Sequence, residues 1–569
     1  QSVEFGARLK EARAQSGDYQ IGIQTSMTKI RPKHPEDFRG SWTNRVKLYL
    51  AKNEYESFQI VIKANSDLQN VGIVPSGFGN LQVEVMPVGY VWVESSSRGC
   101  QGNYSIQDWY PDPLLDFVDT INIKAGDMQT FWVRVFAPSY IQAGAYTGNL
   151  RIISTNTGLR NVSLEVNIWD FALPTKPLLD TALGTNRAGV IPDYYSNSEW
   201  NSLRDKVFST LLKYKICPDD VYCGHRCTFI GGADNLKKLP WVDRFSAANL
   251  DVRNIYSNSA LESYTTNKIN EIRSITQILK SNGLLDRAYI HAFDEHEEDQ
   301  YEKMKYVLGR ISAELPEHPA IEMCGSGNIK SHPEYINTLW SEVDIFTYTT
   351  PSSFGQFKEI QEVLHSQGKQ LWWYTCCYPE VFDFGIVWHQ PINERILMGI
   401  NAYKFKIDGF LYFRINAPPK EAPFFIDVKS DNSAYTNINP VTKWGGAGEG
   451  AWYWHRPDGI CTTIRMENFR DGMEDYEYYK ILERLVKERR GSVDPNLIAQ
   501  AEDVLNIDNT IVEDNKPQTL NSTDPAVLYQ EREKIANLIV ALGGGSPPPS
   551  SCSDSDSGKN YTQKGTCSD

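Results

Sequence analysis

The chain has 569 residues, 41% hydrophobic and 22% charged, which is ordinary globular usage and excludes a long disordered chain. No apolar run approaches the ~18 residues a membrane-spanning helix needs. Lys and Arg (57) against Asp and Glu (71) leave a net charge of −14, which disfavours a surface that condenses on nucleic acid or anionic lipid.

Residues 1–176 read as a β-sandwich. Arg45 to Leu50 alternates polar and apolar with period two, a turn at Ala51 to Glu54 follows, and Ser57 to Ile62 resumes the pattern. Further strands are predicted at Leu81 to Met86, Thr130 to Val135, Gly148 to Ile153 and Val162 to Ile168, separated by turn-rich gaps. Leu173 to Pro177, with two prolines, breaks any element and reads as a linker.

From 177 to 470 short strands alternate with longer helical stretches. Strands are predicted at Leu179 to Leu183, Leu250 to Ile255, Ala288 to Phe293, Ala320 to Cys324, Val343 to Tyr348, Gln370 to Tyr374 and Phe410 to Phe413, with a poorer one near Cys217 to Tyr222. Helices fit Glu199 to Tyr214, Leu261 to Ser281, Asp299 to Leu315, Phe357 to Ser366 and Ile392 to Tyr403. This alternation predicts a parallel sheet, and seven or eight units predict a (β/α)8 barrel of the TIM type. A doubly wound sheet is the alternative, but no Gly-rich phosphate fingerprint follows the first strand. A strand is predicted at Thr462 to Met466, then a helical region from Glu474 to about Leu542, assigned as a C-terminal unit over 471–542. Residues 543–569 form a Ser-, Pro- and Cys-containing tail with the composition of a flexible linker.

Ten cysteines and sequons at Asn103, Asn161, Asn521 and Asn560 point to a secreted or lumenal glycoprotein with most cysteines oxidised. A start at Gln1, without Met or apolar leader, fits a mature terminus. Asn103, Asn161 and Asn521 are expected to be exposed and able to carry glycans. Cys217, Cys223, His225 and Cys227 lack the spacing of a standard zinc finger, so loop disulfides are expected there and no metal or other cofactor is. Cys552 and Cys567 are expected to close a loop in the tail.

The chemistry concentrates at Ala288 to Glu295, where an apolar strand ends in two adjacent carboxylates, Asp294 and Glu295. Barrel active sites sit at the C-terminal strand ends. Two carboxylates held close push their pKa values apart, so one stays ionised while the other keeps a proton to donate. The plain alternative is that both residues merely begin a helix, where acids suit the dipole. Trp372, Trp373 and Tyr374 cannot all enter one core from one strand, so at least one is expected at the mouth, where a flat ring can stack on a sugar. With Tyr348, Tyr412 and Asn416 they are the candidate walls of a cleft whose floor is Asp294 and Glu295; packing between strand and helix is the alternative for each Trp. The charge-dense stretch Arg465 to Tyr478 reads as an ion-pair network bracing the last helix.

The strand ending in Asp294-Glu295, the run Trp372 to Cys377, Gly409 to Asn416 and Arg465 to Tyr478 together resemble glycoside hydrolase family 123 and its relatives. Asn53 to Ile60 and Tyr110 to Leu114 are similar to that family's sandwich module, and the resemblance covers about residues 40–485. Two departures are Phe413, where relatives often have Trp, and Gly448-Glu449-Gly450 in place of Gly-Asp-Gly. The resemblance implies an exo-acting, retaining β-N-acetylgalactosaminidase with a substrate-assisted mechanism. Asp294 would orient the 2-acetamido group and Glu295 would be the general acid/base. The implied partner is a carbohydrate carrying β-linked N-acetylgalactosamine. Another β-hexosaminidase, an endo-acting relative and a non-catalytic sugar-binding protein are the rivals.

Overall fold

The computed structural model describes residues 17–94, 98–99, 102–103, 107–185, 195–222, 236–241, 243–325, 329, 331–350, 355–375, 384–387, 390–442, 446–508, 511–513, 516–520 and 524–544. Two five-stranded sheets face each other in the N-terminal region. The first has the order Tyr19–Thr25, Glu54–Ala64, Met128–Ala137, Gln82–Val93, Asp108–Leu114. The second runs Arg45–Lys52, Arg160–Ala172, Gly144–Ile153, Leu68–Ser76, Ile121–Ile123. The period-two pattern does the sorting: in Arg160–Ala172 the side chains of Val162, Leu164, Val166 and Ile168 are buried, and Asn161, Ser163 and their like face out. Leu50, Phe58, Ile60, Phe131 and Val133 join them in one core between the sheets.

The second region is the expected barrel. Its eight strands, Asp180–Gly184, Pro218–Asp219, Phe245–Leu250, Ala288–Ala292, Ala320–Cys324, Ile345–Thr349, Gln370–Tyr374 and Gly409–Tyr412, pair in parallel in cyclic order. The pairing is open between the second and third strands, and there a side chain makes the link, with Asp219 Oδ1 accepting the Ser246 N–H at 2.8 Å. Helices Asn197–Lys213, Asn258–Ser281, Tyr301–Glu314 and Gly355–Ser366 alternate with the strands. One expected strand moves: the third is Phe245–Leu250, not Leu250 to Ile255, because a segment with small Ser and Ala residues, buried on both faces, occupies the sheet and the more alternating segment is the loop after it.

The expected strand Thr462 to Met466 is not one. Thr463 is the N-cap of a helix, Ile464–Arg489, its side chain accepting the Met466 N–H; the helix begins ten residues before Glu474 and runs across residue 470. Most polar residues of its first half are buried, and they tie the sandwich to the barrel. Arg465 Nε bonds Asp112 of the first sheet at 2.6 Å. Glu467 accepts from Ser57 and Arg134 of the sandwich and from Tyr214 behind the barrel. Lys215 reaches Glu477 at 2.9 Å, and Arg395 clamps Glu56 and Asp475. The ion-pair network foreseen for this stretch therefore braces both domains against one helix. Helices Pro495–Leu505 and Pro525–Ala541 pack outside it.

Among the described residues no helix is long and apolar enough to cross a membrane. Asn161 is exposed; Asn521, Asn560 and the Asn103 side chain lie outside the described residues, as do Cys100, Cys223, His225, Cys227, Cys376, Cys377, Cys552, Cys567 and residues 545–569. Cys217, Cys324 and Cys461 are free, buried thiols. The Cys217 expectation is thus corrected: its sulfur accepts the Asp243 N–H at 3.4 Å in the core and takes part in no disulfide.

Candidate active site

Strand alternation decides which side chains reach the barrel axis. Tyr289, Cys324, Ile345, Trp372, Tyr374 and Leu411, from five strands, meet in the interior. His291 and Glu322, in register on the fourth and fifth strands, are also fully buried there. The C-terminal end of the fourth strand rises from this layer into Asp294 and Glu295.

The backbone at that point is unusual. Phe293 and Glu295 have φ of +58° and +50°, the left-handed region that non-glycine residues avoid at about 1–2 kcal/mol each. Pairing with the neighbouring strands holds the turn in place, since the Phe293 N–H donates to the Leu250 carbonyl and the Glu295 N–H to the Cys324 carbonyl, both at 2.9 Å. Strained backbone of this kind is often found at functional sites, which makes the turn a candidate. The twist leaves Asp294 half-buried and Glu295 exposed.

Each carboxylate has its own surroundings. The Tyr374 hydroxyl, at the end of the seventh strand, donates to Glu295 Oε1 at 2.6 Å. Gly325 makes room for this bond: it sits at φ +66°, and a Cβ there would lie 2.8 Å from Glu295 Cγ and 3.2 Å from the Tyr374 hydroxyl oxygen. Burial pushes the Asp294 carboxyl up; His291 opposes this, Glu295 adds to it, and the hydrogen bond from the Cys324 thiol pulls down again, leaving the net shift upward. Tyr222, following the second strand, lies within electrostatic reach of both carboxylates, and its ring meets His291 edge-on at 5.3 Å. Arg253, on the loop after the third strand, feels the charge of Asp294 and is held by Asp251 at 2.7 Å.

Of the expected walls, Tyr374 reaches the carboxylates. Trp372 is fully buried below them, edge-on to Tyr289 at 5.8 Å, so it belongs to the floor's support rather than to a wall. Trp373 and Tyr412 face the opposite way by alternation; both are buried in the layer between barrel and helices, where Tyr412 packs on Trp452 and Phe384. Tyr348 is buried in the same layer. Asn416 is fully buried, with its Oδ1 accepting from Arg414 Nε at 3.2 Å. All four side chains are buried, as is Tyr374 itself. Tyr222, Arg253, Gly325, His291 and Glu322 were not foreseen. A lone His and a lone Glu inside apolar strands, in Tyr289 to Phe293 and Ile321 to Cys324, were the available signal.

A cavity of about 1120 Å³ opens at the other end of the barrel, lined by Arg244, Asp344, Gln370 and Asp408, which stand at or before the strand starts. That end of such barrels serves stability, so the carboxylate pair and not the cavity marks the candidate site. The connections at 186–194, 223–235, 326–328, 351–354, 376–383 and 443–445, which follow barrel strands, lie outside the described residues.

Comparison with known proteins bears on the same region. Residues 231–482 match the family model "Glycoside hydrolase 123, catalytic domain". A family 123 glycoside hydrolase from Clostridium perfringens, whose structure concerns glycolipid glycan hydrolysis, is similar with a TM-score of 0.68 at 12% identity, over 92% of this chain and 99% of that one. At that identity the likeness is one of fold. A β-glucuronidase from Ruminococcus gnavus (TM-score 0.31, 9% identity, 77% of this chain and 70% of that chain) and a family 5 xyloglucanase from Bacteroides ovatus (0.30, 7%, 76% and 98%) are too distant to carry an argument. No curated protein sequence matches the chain. The expected resemblance is borne out: residues 231–482 match the catalytic domain of glycoside hydrolase family 123, and the fold is similar to that of a family 123 enzyme over 92% of the chain.

Proposed function

We propose that the chain is an exo-acting, retaining β-N-acetylgalactosaminidase working by substrate-assisted catalysis. The observation that carries this reading is the adjacent, differently housed pair Asp294 and Glu295 on a strained turn at the end of the fourth barrel strand. A half-buried carboxylate beside an exposed one suits two roles. In the first step the acetamido carbonyl oxygen of the substrate attacks the anomeric carbon and the glycosidic C–O bond breaks. Glu295, protonated, donates to the departing oxygen, and an oxazolinium ion forms. Asp294, ionised, accepts the acetamido N–H and balances the positive charge that grows there. In the second step Glu295 takes a proton from water, which opens the ring at the anomeric carbon with net retention.

The Tyr374 hydroxyl fixes the Glu295 carboxyl for both proton transfers. The Clostridium perfringens enzyme works on glycolipid glycans, and we take terminal β-linked N-acetylgalactosamine on such glycans as the substrate class. Secretion and glycosylation at Asn103, Asn161 and Asn521 fit this role and rest on the sequons alone. A panel of chromogenic β-glycosides tests the proposal. Hydrolysis of the N-acetylgalactosaminide, inhibited by its thiazoline analogue, is expected. Equal or faster hydrolysis of the galactoside lacking the acetamido group would overturn it.

A further inference from the structure

The barrel holds a buried charged pair that the mechanism above does not use. His291 Nδ1 lies 2.6 Å from Glu322 Oε2, both side chains are fully buried, and the two residues are direct neighbours across the fourth and fifth strands. A lone carboxylate at such depth is costly, whereas an imidazolium–carboxylate bond of this length satisfies both groups at one edge. At the other edge, His291 Nε2 and Glu322 Oε1 are buried without a hydrogen-bond partner. The pair lies one layer below Asp294, three residues along the same strand.

The acidic groups around the ring favour its protonated form. Glu322 faces His291 from the fifth strand, Asp294 from above and Asp219 from the second strand, and Tyr222 caps the ring. Asp219 in turn accepts from the Tyr289 hydroxyl at 2.6 Å and is pushed up to about 6, chiefly by burial. Cys324, also from the fifth strand, stays a thiol, its pKa raised well above the usual by burial and by the carboxylates around it, and donates to Asp294. Burial resists the imidazolium, but the facing carboxylates outweigh it and the net shift of His291 is upward.

We infer that His291, protonated and anchored by Glu322, is a positioning residue: a fixed positive charge beneath Asp294 that keeps this carboxylate ionised while its neighbour Glu295 gains and loses a proton. The inference rests on the roles proposed above for Asp294 and Glu295. It works against a conflict in the site, where the net shift of Asp294 is still upward. Burial and the adjacent Glu295 both favour a protonated Asp294, and a neutral Asp294 could not balance the charge of the oxazolinium.

The test uses the full-length protein, a para-nitrophenyl β-N-acetylgalactosaminide, and kcat and KM measured across pH. Without the cation Asp294 takes up its proton at higher pH, so in His291→Gln the acidic limb of kcat should move upward by about one pH unit or more. KM at the optimum should change little. Glu322→Gln leaves the imidazole but removes its anchor, and should move the limb in the same direction. In an Asp294→Asn background, His291→Gln should add little further loss, because the group it serves is gone. A wild-type acidic limb in both single variants, or full additivity with Asp294→Asn, would overturn the inference. If Asp294→Asn itself keeps wild-type activity, the reading of the site fails instead. Should His291→Gln not fold, the limb of Glu322→Gln decides.

Discussion

Gly325 offers a test in which the structure supplies the magnitude. In Gly325→Ala the new methyl carbon starts 2.8 Å from Glu295 Cγ and 3.2 Å from the Tyr374 hydroxyl oxygen. Ordinary contact begins near 3.4 Å, so Glu295 must retreat by about 0.6 Å from a position that its own φ of +50° already constrains. A displacement of ~1 Å in a catalytic group costs on the order of 10²-fold, so a fall in kcat/KM of roughly 10- to 100-fold is expected. It should be larger for substrates with poor leaving groups, which depend most on proton donation. Alanine at φ +66° also costs about 1–2 kcal/mol of stability. Gly283 separates the two effects: its φ is +65°, and nothing lies within 4 Å of its would-be Cβ. Gly283→Ala should therefore lower the thermal midpoint by the backbone cost alone, no more than Gly325→Ala does, while leaving kinetics untouched. Thermal melts and steady-state kinetics with a good and a poor leaving group measure both. Wild-type kcat/KM in Gly325→Ala, or an equal kinetic loss in Gly283→Ala, would refute the claim that Gly325 sets the position of Glu295.

Three further outcomes are expected. Tyr374→Phe removes the donor to Glu295 Oε1; a hydrogen bond to the neutral acid is worth about 0.5–1.5 kcal/mol, so kcat should drop by roughly 2- to 10-fold while KM holds, as steady-state kinetics will show. Asp112→Ala strips the buried Arg465 of its carboxylate and Trp454 of its acceptor, and should destabilise the protein by about 3–5 kcal/mol in denaturant titrations; an unchanged midpoint would contradict a bracing role for the helix. Thiol titration of the denatured, unreduced protein should find at least Cys217, Cys324 and Cys461, and in the native protein these three should stay unreactive because they are buried.

The legibility of the chain followed how one-sided each segment's burial is. Arg45–Lys52 and Arg160–Ala172 bury one face, so their alternation is visible. Asp108–Leu114 carries two prolines and escapes a propensity reading, yet it is tolerated as an edge strand. Tyr19–Thr25 and Leu68–Ser76 carry glycine or proline among their apolar residues and were missed for the same reason. In the barrel, burial on both faces erases the period: Phe245–Leu250, with Ser and Ala at its centre, is less conspicuous than the more alternating loop behind it. Thr462, Thr463 and Ile464 are β-branched and mimic a strand, but the Thr463 side chain caps a helix instead. At the site, the strand ending in Asp294-Glu295 was readable because chemistry at a strand end needs no partner to be seen. The walls were not, because Trp372, Trp373 and Tyr374 alternate between barrel axis and helix layer, and only register decides which one emerges. Gly325 and the pair His291–Glu322 act through neighbours brought together by the fold, and a single strand cannot show that.

The most direct measurement follows the anomer first released from para-nitrophenyl β-N-acetylgalactosaminide by proton NMR, in the seconds before mutarotation. Participation of the acetamido group with Asp294 and Glu295 in their proposed roles predicts that the β-anomer of N-acetylgalactosamine appears first. An initial α-anomer would mean direct attack by water with inversion and would contradict the account.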